Sequence, residues 1–268
     1  MYESAIVDLD GTVYSGEAAI PGAIEGIETL RRSGIDVRFF TNNASRSTET
    51  YAARLRRLGV AADADDIVSS GRITAAYLAR NHAEADCYVI GEEEFVRTLR
   101  RRGLSVVSDP DRADALVVAL DRSFDYDTLA DALRVLDDGV PFVATNPDPT
   151  RAEDGTELPS TGGIIGAITA TTGQEPDVVL GKPSGHAAAF VREEFGFVPE
   201  RTLLIGDRLD TDVALGNEVG MATVLVLTGV TSREDLESVP EGSPIEPDYV
   251  LESLADVSTI VDEGSGSR

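Results

Sequence analysis

Short apolar runs alternate with amphipathic stretches from one end of this 268-residue chain to the other. That alternation constrains the fold more than any other feature, because it calls for a mainly parallel sheet with helices on both faces. Ala5-Ile6-Val7 predicts a first strand. Pro21 to Arg32 predicts a helix, with Pro21 near its start and Gly34 just past its end. Ile35 to Phe40 is the next strand, and Thr48 to Leu58 a helix entered through Ser47 and stopped by Gly59. Later strands are expected at Thr202 to Ile205 and Thr223 to Leu227.

The middle of the chain repeats the pattern on its own. Cys87 to Ile90, Leu116 to Leu120 and Pro141 to Ala144 read as strands, and Glu92 to Arg101 and Tyr126 to Leu136 as helices. A further helix opens near Gly162-Gly163. The expected organisation is therefore an α/β fold, a doubly wound sheet with a smaller α/β unit inserted. Residues 1–81 and 178–262 would form the outer unit, residues 82–177 the insertion, and residues 263–268 a disordered tail.

Three outer strands end in polar residues. The first runs into Asp8-Leu9-Asp10-Gly11-Thr12, the second into Thr41-Asn42-Asn43, and a late one into Gly206-Asp207-Arg208-Leu209-Asp210-Thr211-Asp212. Lys182 follows a fourth apolar run, Val178-Val179-Leu180. Ligands bind outside the carboxyl ends of strands in open α/β sheets, so these four segments are expected along one sheet edge. Asp8 and Asp207 on adjacent strands would face each other closely. Two like charges about 4 Å apart repel by roughly 4 kcal/mol at an effective dielectric near 20, and a hard cation relieves that cost. The Thr41 hydroxyl, the backbone N–H groups of Asn42 and Gly11, and the Lys182 ammonium suit the oxygens of a phosphoryl group.

Lys182 is the chain's single lysine; every other one of the 23 basic residues is arginine. Lysine is a compact point charge and arginine a wide planar fork, so a small pocket can demand the former. Asp and Glu total 48, giving a net charge of −25. Such a surface repels nucleic acid and anionic membranes, and neither is expected as a partner. One cysteine, Cys87, excludes an internal disulfide and sits in an apolar run, which predicts a buried, inert thiol. No apolar stretch is long enough to span a bilayer, and the first residues lack a basic leader, so a cytoplasmic protein is expected. With two histidines, His82 and His186, a histidine-rich metal site is excluded, and His186 reads as a helix-face residue.

Asp8-Leu9-Asp10-Gly11-Thr12, Thr41, Lys182 and Gly206-Asp207 through Asp212 resemble, in order, the four motifs of the haloacid-dehalogenase-like (HAD) superfamily. Phe40-Thr41-Asn42-Asn43, Val89-Ile90-Gly91, Ala144-Thr145-Asn146-Pro147-Asp148 and Gly181-Lys182-Pro183 extend the resemblance to its subfamily IIA, the NagD-like and 4-nitrophenylphosphatase-like enzymes. The resemblance implies a Mg²⁺-dependent phosphatase acting on small phosphorylated molecules through an aspartyl-phosphate. Asp8 would be the nucleophile and Asp10 the acid and base. Thr41, Asn42, Asn43, Gly11 and Lys182 would bind the phosphoryl group. Asp8, the Asp10 carbonyl and Asp207 would hold Mg²⁺, with Asp212 orienting a metal-bound water behind them. The insertion would be a cap that closes over the site and takes part in any homo-oligomer.

Some readings stay open on sequence alone. A phosphotransferase could use the same aspartyl-phosphate, and a receiver-like switch could bind Mg²⁺ and be phosphorylated on Asp8; Asp10 and a large cap speak against the switch. Asp210 reads as a helix cap before a direct participant. The loop from Thr145 to Arg151 is placed to reach substrate, and Gly162-Gly163 with Gly166 reads as a helix entry.

The acidity and the near-absence of lysine also resemble the proteins of salt-loving archaea. At about 1 M salt the Debye length is roughly 3 Å, so self-repulsion of this surface is screened. The unfolding temperature is expected to be lower in dilute buffer than in molar KCl, and equal values from thermal melts in the two would overturn that expectation.

Overall fold

The computed structural model describes residues 1–137, 139–153 and 156–263. Along the first part of the chain, β1 (Ser4–Val7) is followed by a small hairpin of β2 (Tyr14–Ser15) and β3 (Ala18–Ala19). Then come α1 (Ala23–Arg32), β4 (Asp36–Thr41), α2 (Thr48–Leu58), β5 (Ile67–Ser69) and α3 (Ser70–Asn81). The middle comprises β6 (Asp86–Ile90), α4 (Glu93–Arg101), β7 (Ser105–Val107), β8 (Ala115–Val118), α5 (Tyr126–Asp137) and β9 (Phe142–Ala144). A second hairpin, β10 (Thr150–Glu153) and β11 (Thr156–Pro159), leads to α6 (Thr161–Thr172) and β12 (Val178–Val179). The last part holds α7 (Gly185–Phe195), β13 (Thr202–Gly206), α8 (Ala214–Val219), β14 (Ala222–Val226), α9 (Arg233–Glu237), β15 (Tyr249–Leu251) and α10 (Ser258–Glu263).

Two parallel sheets result. The larger has the order β15-β14-β13-β1-β4-β5, and the smaller β12-β9-β8-β6-β7. In the larger sheet β1 is flanked by β13 and β4, with Val7 opposite both Ile205 and Phe39. The chain leaves β1 toward β4 and β5 on one side and returns to build β13, β14 and β15 on the other. This switch point opens a crevice at the carboxyl ends of the central strands.

Local signals place the helices much as the sequence predicts. Ser47 accepts a hydrogen bond from the Thr50 N–H at the start of α2, and Gly59 ends that helix at φ 102°. Helix α1 starts two residues later than predicted, because Gly22 takes a left-handed conformation ahead of it. Gly162 lies inside α6, where a Cβ would come within 2.4 Å of the Pro147 carbonyl oxygen. Close packing of the helix entry on that loop therefore requires glycine, in line with the helix-entry reading. The hairpins, β5 with α3, β7 and β15 are additional to the predicted elements.

The run Val178-Val179 needs a correction. The sequence predicts it as a strand of the outer unit, but Val178 and Val179 pair with Val143 and Ala144 at the edge of the smaller sheet. An apolar pair of residues reads the same on either sheet, and only tertiary pairing decides between them. A single hydrophobic cluster joins the layers: it contains Phe40 and Leu204 of the larger sheet and Cys87, Val117 and Val143 of the smaller, with Phe95, Ile73 and Val191 between them. Cys87 is buried as expected, and burial, with Asp114 and Asp86, pushes its thiol up to about 11, which keeps it inert. Of the predicted tail, residues 264–268 lie outside the described residues.

Candidate active site

The carboxyl ends of β1, β4 and β13 bring Asp8, Thr41 and Asp207 to one crevice. Lys182 arrives from the loop between β12 and α7, not from a strand of the same sheet. Its backbone is fastened by Asn42: the Lys182 N–H donates to Asn42 Oδ1 at 2.7 Å, and Asn42 Nδ2 donates to the Lys182 carbonyl at 3.0 Å. From there the ammonium crosses to the larger sheet. Lys182 Nζ donates to Asp8 Oδ1 at 2.6 Å, to Asp212 Oδ1 at 2.7 Å and to the Phe40 carbonyl at 3.0 Å. Lys182 is 1 % exposed, so water does not compete for these bonds.

Asp207 is held from two sides. The Val230 N–H donates to its Oδ2 at 2.6 Å. Gly11 and Gly229 press on it so closely that a Cβ would fall 2.4 Å and 1.9 Å from Oδ2 respectively. Gly11, at φ 86°, is therefore required for close approach and for the left-handed turn. Its N–H donates to the Tyr14 carbonyl at 2.8 Å. That corrects the prediction that the Gly11 N–H serves the substrate: the turn already occupies it.

Asn42 and Asn43 are also largely committed to the protein. Besides gripping Lys182, Asn42 Nδ2 donates to Asp148 Oδ1 at 2.9 Å, and the Asn42 carbonyl accepts from Asn146 Nδ2 at 2.8 Å. The Asn43 N–H donates to Thr41 Oγ1 at 3.1 Å, which leaves the Thr41 hydroxyl hydrogen to donate elsewhere. Both asparagines line the crevice, and their evident work is to position Lys182 and Thr41.

Asp212 lies beside the two acids expected to hold the metal, and its Oδ1 is taken by Lys182. Oxygens of Asp8, Asp207 and Asp212 lie within 4.8 Å of one another, and all three residues are buried. Asp212 also accepts from the Arg208 N–H at 3.2 Å, in a π-helical turn spanning Leu209–Val213. Asp210 points outward and pairs with Arg208 at 2.8 Å, neither capping a helix nor joining the site. His186 is exposed and meets the Tyr77 ring edge-on at 5.4 Å, away from the crevice.

Burial dominates the electrostatics. It raises the Asp8 carboxyl well above its usual range; Lys182 opposes that shift, and Asp212 and Asp207 add to it. Burial, then Asp212, pushes Asp207 up to about 7. Burial also opposes the charge on Lys182, but Asp212 and Asp8 outweigh it and hold the ammonium above its ordinary value. Two carboxylates touch the one ammonium and a third lies beside them, so with all three ionised the centre carries excess negative charge. An all-oxygen donor set of this kind fits a hard divalent cation. Asp10 stands apart: burial raises its carboxyl, Arg54 tempers the rise, and its buried Oδ2 has no hydrogen-bond partner.

The smaller sheet supplies the opposite wall with residues that the sequence motifs do not assign. Asn146, Asp148, Thr150 and Arg151 line the crevice, as expected for the loop from Thr145 to Arg151. Arg208 reaches across to the Thr150 carbonyl at 3.3 Å. The Thr228 hydroxyl donates to the Gly11 carbonyl at 2.7 Å and ties the Asp207 clamp together. The glycine at 229, just past a strand end, is the sequence signal that marks this clamp.

Known proteins place this constellation. The haloacid dehalogenase-like hydrolase family matches residues 5–105, and a HAD-hydrolase-like family matches residues 179–257. The chain belongs to the HAD-like hydrolases. It is 36 % identical to the sugar-phosphatase AraL of Bacillus subtilis, over 97 % of this chain and 93 % of that protein. It is 37 % identical to a p-nitrophenyl phosphatase from Archaeoglobus fulgidus, with a TM-score of 0.87 over 98 % of this chain and 99 % of the other. A glycerol phosphate phosphatase from Mycobacterium tuberculosis, solved in complex with magnesium, is 33 % identical with a TM-score of 0.85, over 96 % of this chain and 76 % of that one. Among the described residues, no helix is long and apolar enough to cross a membrane.

The acidic cluster makes stability depend jointly on pH and cation. The folded pKa of Asp207 lies above its ordinary value of 3.8, so its contribution is full below that value and is lost as pH rises through about 7. A bound cation offsets the loss. Mg²⁺ is therefore expected to raise the unfolding temperature by several degrees more at about pH 8.5 than at about pH 5.5. Calorimetric melts with and without Mg²⁺ check this, and equal shifts at the two pH values contradict it.

Proposed function

We propose that this HAD-like hydrolase is a phosphatase that cleaves phosphate monoesters of small molecules by way of a phosphoryl group carried on Asp8. The observation that carries the reading is the Lys182 ammonium held between Asp8 and Asp212, beside an Asp10 carboxyl whose Oδ2 is buried and unpartnered. A buried lysine clamp on one carboxylate is a device for neutralising and orienting a nucleophile. A neighbouring acid with a raised pKa and an open oxygen is a device for moving protons.

Each residue then has a task. The contact of Lys182 with Oδ1 fixes the plane of the Asp8 carboxylate, and an Asp8 oxygen attacks phosphorus. The bond to the leaving oxygen breaks, and Asp10 gives that oxygen its proton. Water then attacks the phosphoryl group on Asp8, passing a proton to the Asp10 carboxylate. Inorganic phosphate leaves and the Asp8 carboxylate is restored. The Thr41 hydroxyl and the Lys182 ammonium bind phosphoryl oxygens throughout, where charge must be matched at every stage. Asp8, the Asp10 carbonyl and Asp207 would hold Mg²⁺, with Asp212 beside them; when bound, the ion neutralises charge on the acids and on the transferring group.

The smaller sheet is read as a cap. Asp148 and Thr150 line the crevice opposite Asp8 and contact Asn42 and Arg208 of the larger sheet's loops, which excludes bulk water from the phosphoryl group. A receiver-like switch has no use for such a roof or for an acid poised beside the leaving oxygen.

Asp8→Asn is expected to lower kcat roughly a thousandfold or more while leaving the far-ultraviolet circular dichroism unchanged. Phosphate release near the wild-type rate from this variant would remove Asp8 as the nucleophile. Lys182→Arg keeps the charge but brings a planar fork into a point-charge site. It is expected to cost about 100-fold in kcat, and full activity in a phosphate-release assay would show that any cation suffices.

A further inference from the structure

A second cavity adjoins the phosphoryl site, and the two share Asp10, Asn43, Leu120 and Arg151. Half of the rest of its wall is cationic: Arg46, Arg54 and Arg122 face it together with Gly16, Glu17 and Ser45. These arginines come from separate parts of the fold. Arg46 follows β4, Arg54 lies on α2, and Arg122 follows β8 of the smaller sheet. In a chain of net charge −25, so many guanidinium groups facing one cavity run against the general balance.

The cavity's own carboxylates, Asp10 and Glu17, are outnumbered by these arginines. Glu17 is paired at 2.9 Å with Arg57, which is not among the lining residues. Arg122 is steadied by Glu92 at 2.8 Å, but 54 % of its side chain stays exposed. Arg54 is the strongest sign of a built site. It is 7 % exposed, and its guanidinium lies 3.7 Å from the centroid of the Tyr14 ring. Its Nε has no hydrogen-bond partner although it is buried. A desolvated cation with an unfilled donor is costly unless an anion meets it. Asp10 faces the same cavity, but its one carboxylate cannot balance Arg46, Arg54 and Arg122 together.

The position of the cavity says which part of the substrate meets it. Asp10 protonates the leaving oxygen and lies on the border of both cavities, so the alcohol side of the ester extends into the arginine-lined one. We propose that the alcohol carries its own anionic group, a carboxylate or a second phosphate on a short spacer, held by Arg46, Arg54 and Arg122. Planar guanidinium forks match either oxyanion through paired hydrogen bonds. This inference rests on the phosphatase reading above and adds the class of leaving group to it.

Three matched esters test it at one ionic strength: propyl phosphate, its analogue with a terminal carboxylate, and its analogue with a second terminal phosphate. At least one anionic ester is expected to exceed propyl phosphate about 100-fold in kcat/KM, mainly through KM, and the better of the two identifies the anion. Arg46→Gln and Arg122→Gln are each expected to shrink that ratio roughly tenfold. Equal kcat/KM for all three esters, or a ratio unmoved by both variants, overturns the proposal. Calorimetric binding of the same esters to Asp8→Asn reads the ordering without turnover. If no ester is hydrolysed by the wild type but the ordering of affinities persists, the hydrolase reading fails and the arginine site stands; if the ordering is absent there as well, both fail.

Discussion

The bonds from Lys182 Nζ to Asp8 and Asp212 organise the rest of the site. Three buried carboxylates at the edge of one sheet cannot sit together unaided, because each is stripped of water and repelled by the others. The ammonium draws two of them onto one point and leaves the third, Asp207, to the Val230 N–H. A buried ion pair is a poor source of net stability, since desolvation opposes the Coulomb gain. Its value here is geometric: it fixes Asp8 and Asp212 beside Asp207, where the proposed nucleophile and cation site lie.

That clamp depends in turn on contact between two layers. Lys182 belongs to the loop leaving the smaller sheet, but its ammonium works at the larger one. Asn42 joins them by bonding both the N–H and the carbonyl of Lys182, and by reaching Asp148 on the opposite wall. A hydrophobic cluster with members on both sheets keeps this register, so the smaller sheet and Asp8 are positioned by the same packing. The crevice is therefore completed only where the layers meet, which suits a reaction that must exclude water until one water is needed.

Charge is distributed unevenly, and the unevenness has chemical sense. An outer surface rich in Asp and Glu slows the approach of an anionic ester unless salt screens it. Asp8, Asp207 and Asp212 gather with Lys182 in one cavity, whose wall also holds Arg151 and Arg208, and Arg46, Arg54 and Arg122 face the adjoining one. Asp10 lies on the boundary, where burial raises its proton affinity and Arg54 restrains it. In the proposed cycle Asp10 both gives and accepts a proton, and such opposed influences suit that task.

Much of this was legible in the chain. Strand and helix periods, with polar residues at strand ends, point to a parallel sheet, and adjacency of β1 and β13 brings Asp8 and Asp207 together as the motifs imply. The lone lysine pointed to a small pocket, and the structure buries it between Asp8 and Asp212. Other features could not be read from spacing. Val178-Val179 suits either sheet, and only long-range pairing puts it in the smaller one. The Gly11 N–H is taken by a local turn, and the bond from Lys182 to Asp212 joins residues 30 positions apart. The arginine wall joins residues 46, 54 and 122, which no local pattern links. Sequence by itself determined which chemical groups stand at strand ends, because periodicity and side-chain type are local properties. Tertiary structure decided which of those groups touch and which hydrogen bonds remain open, because both depend on how two distant sheets pack against each other.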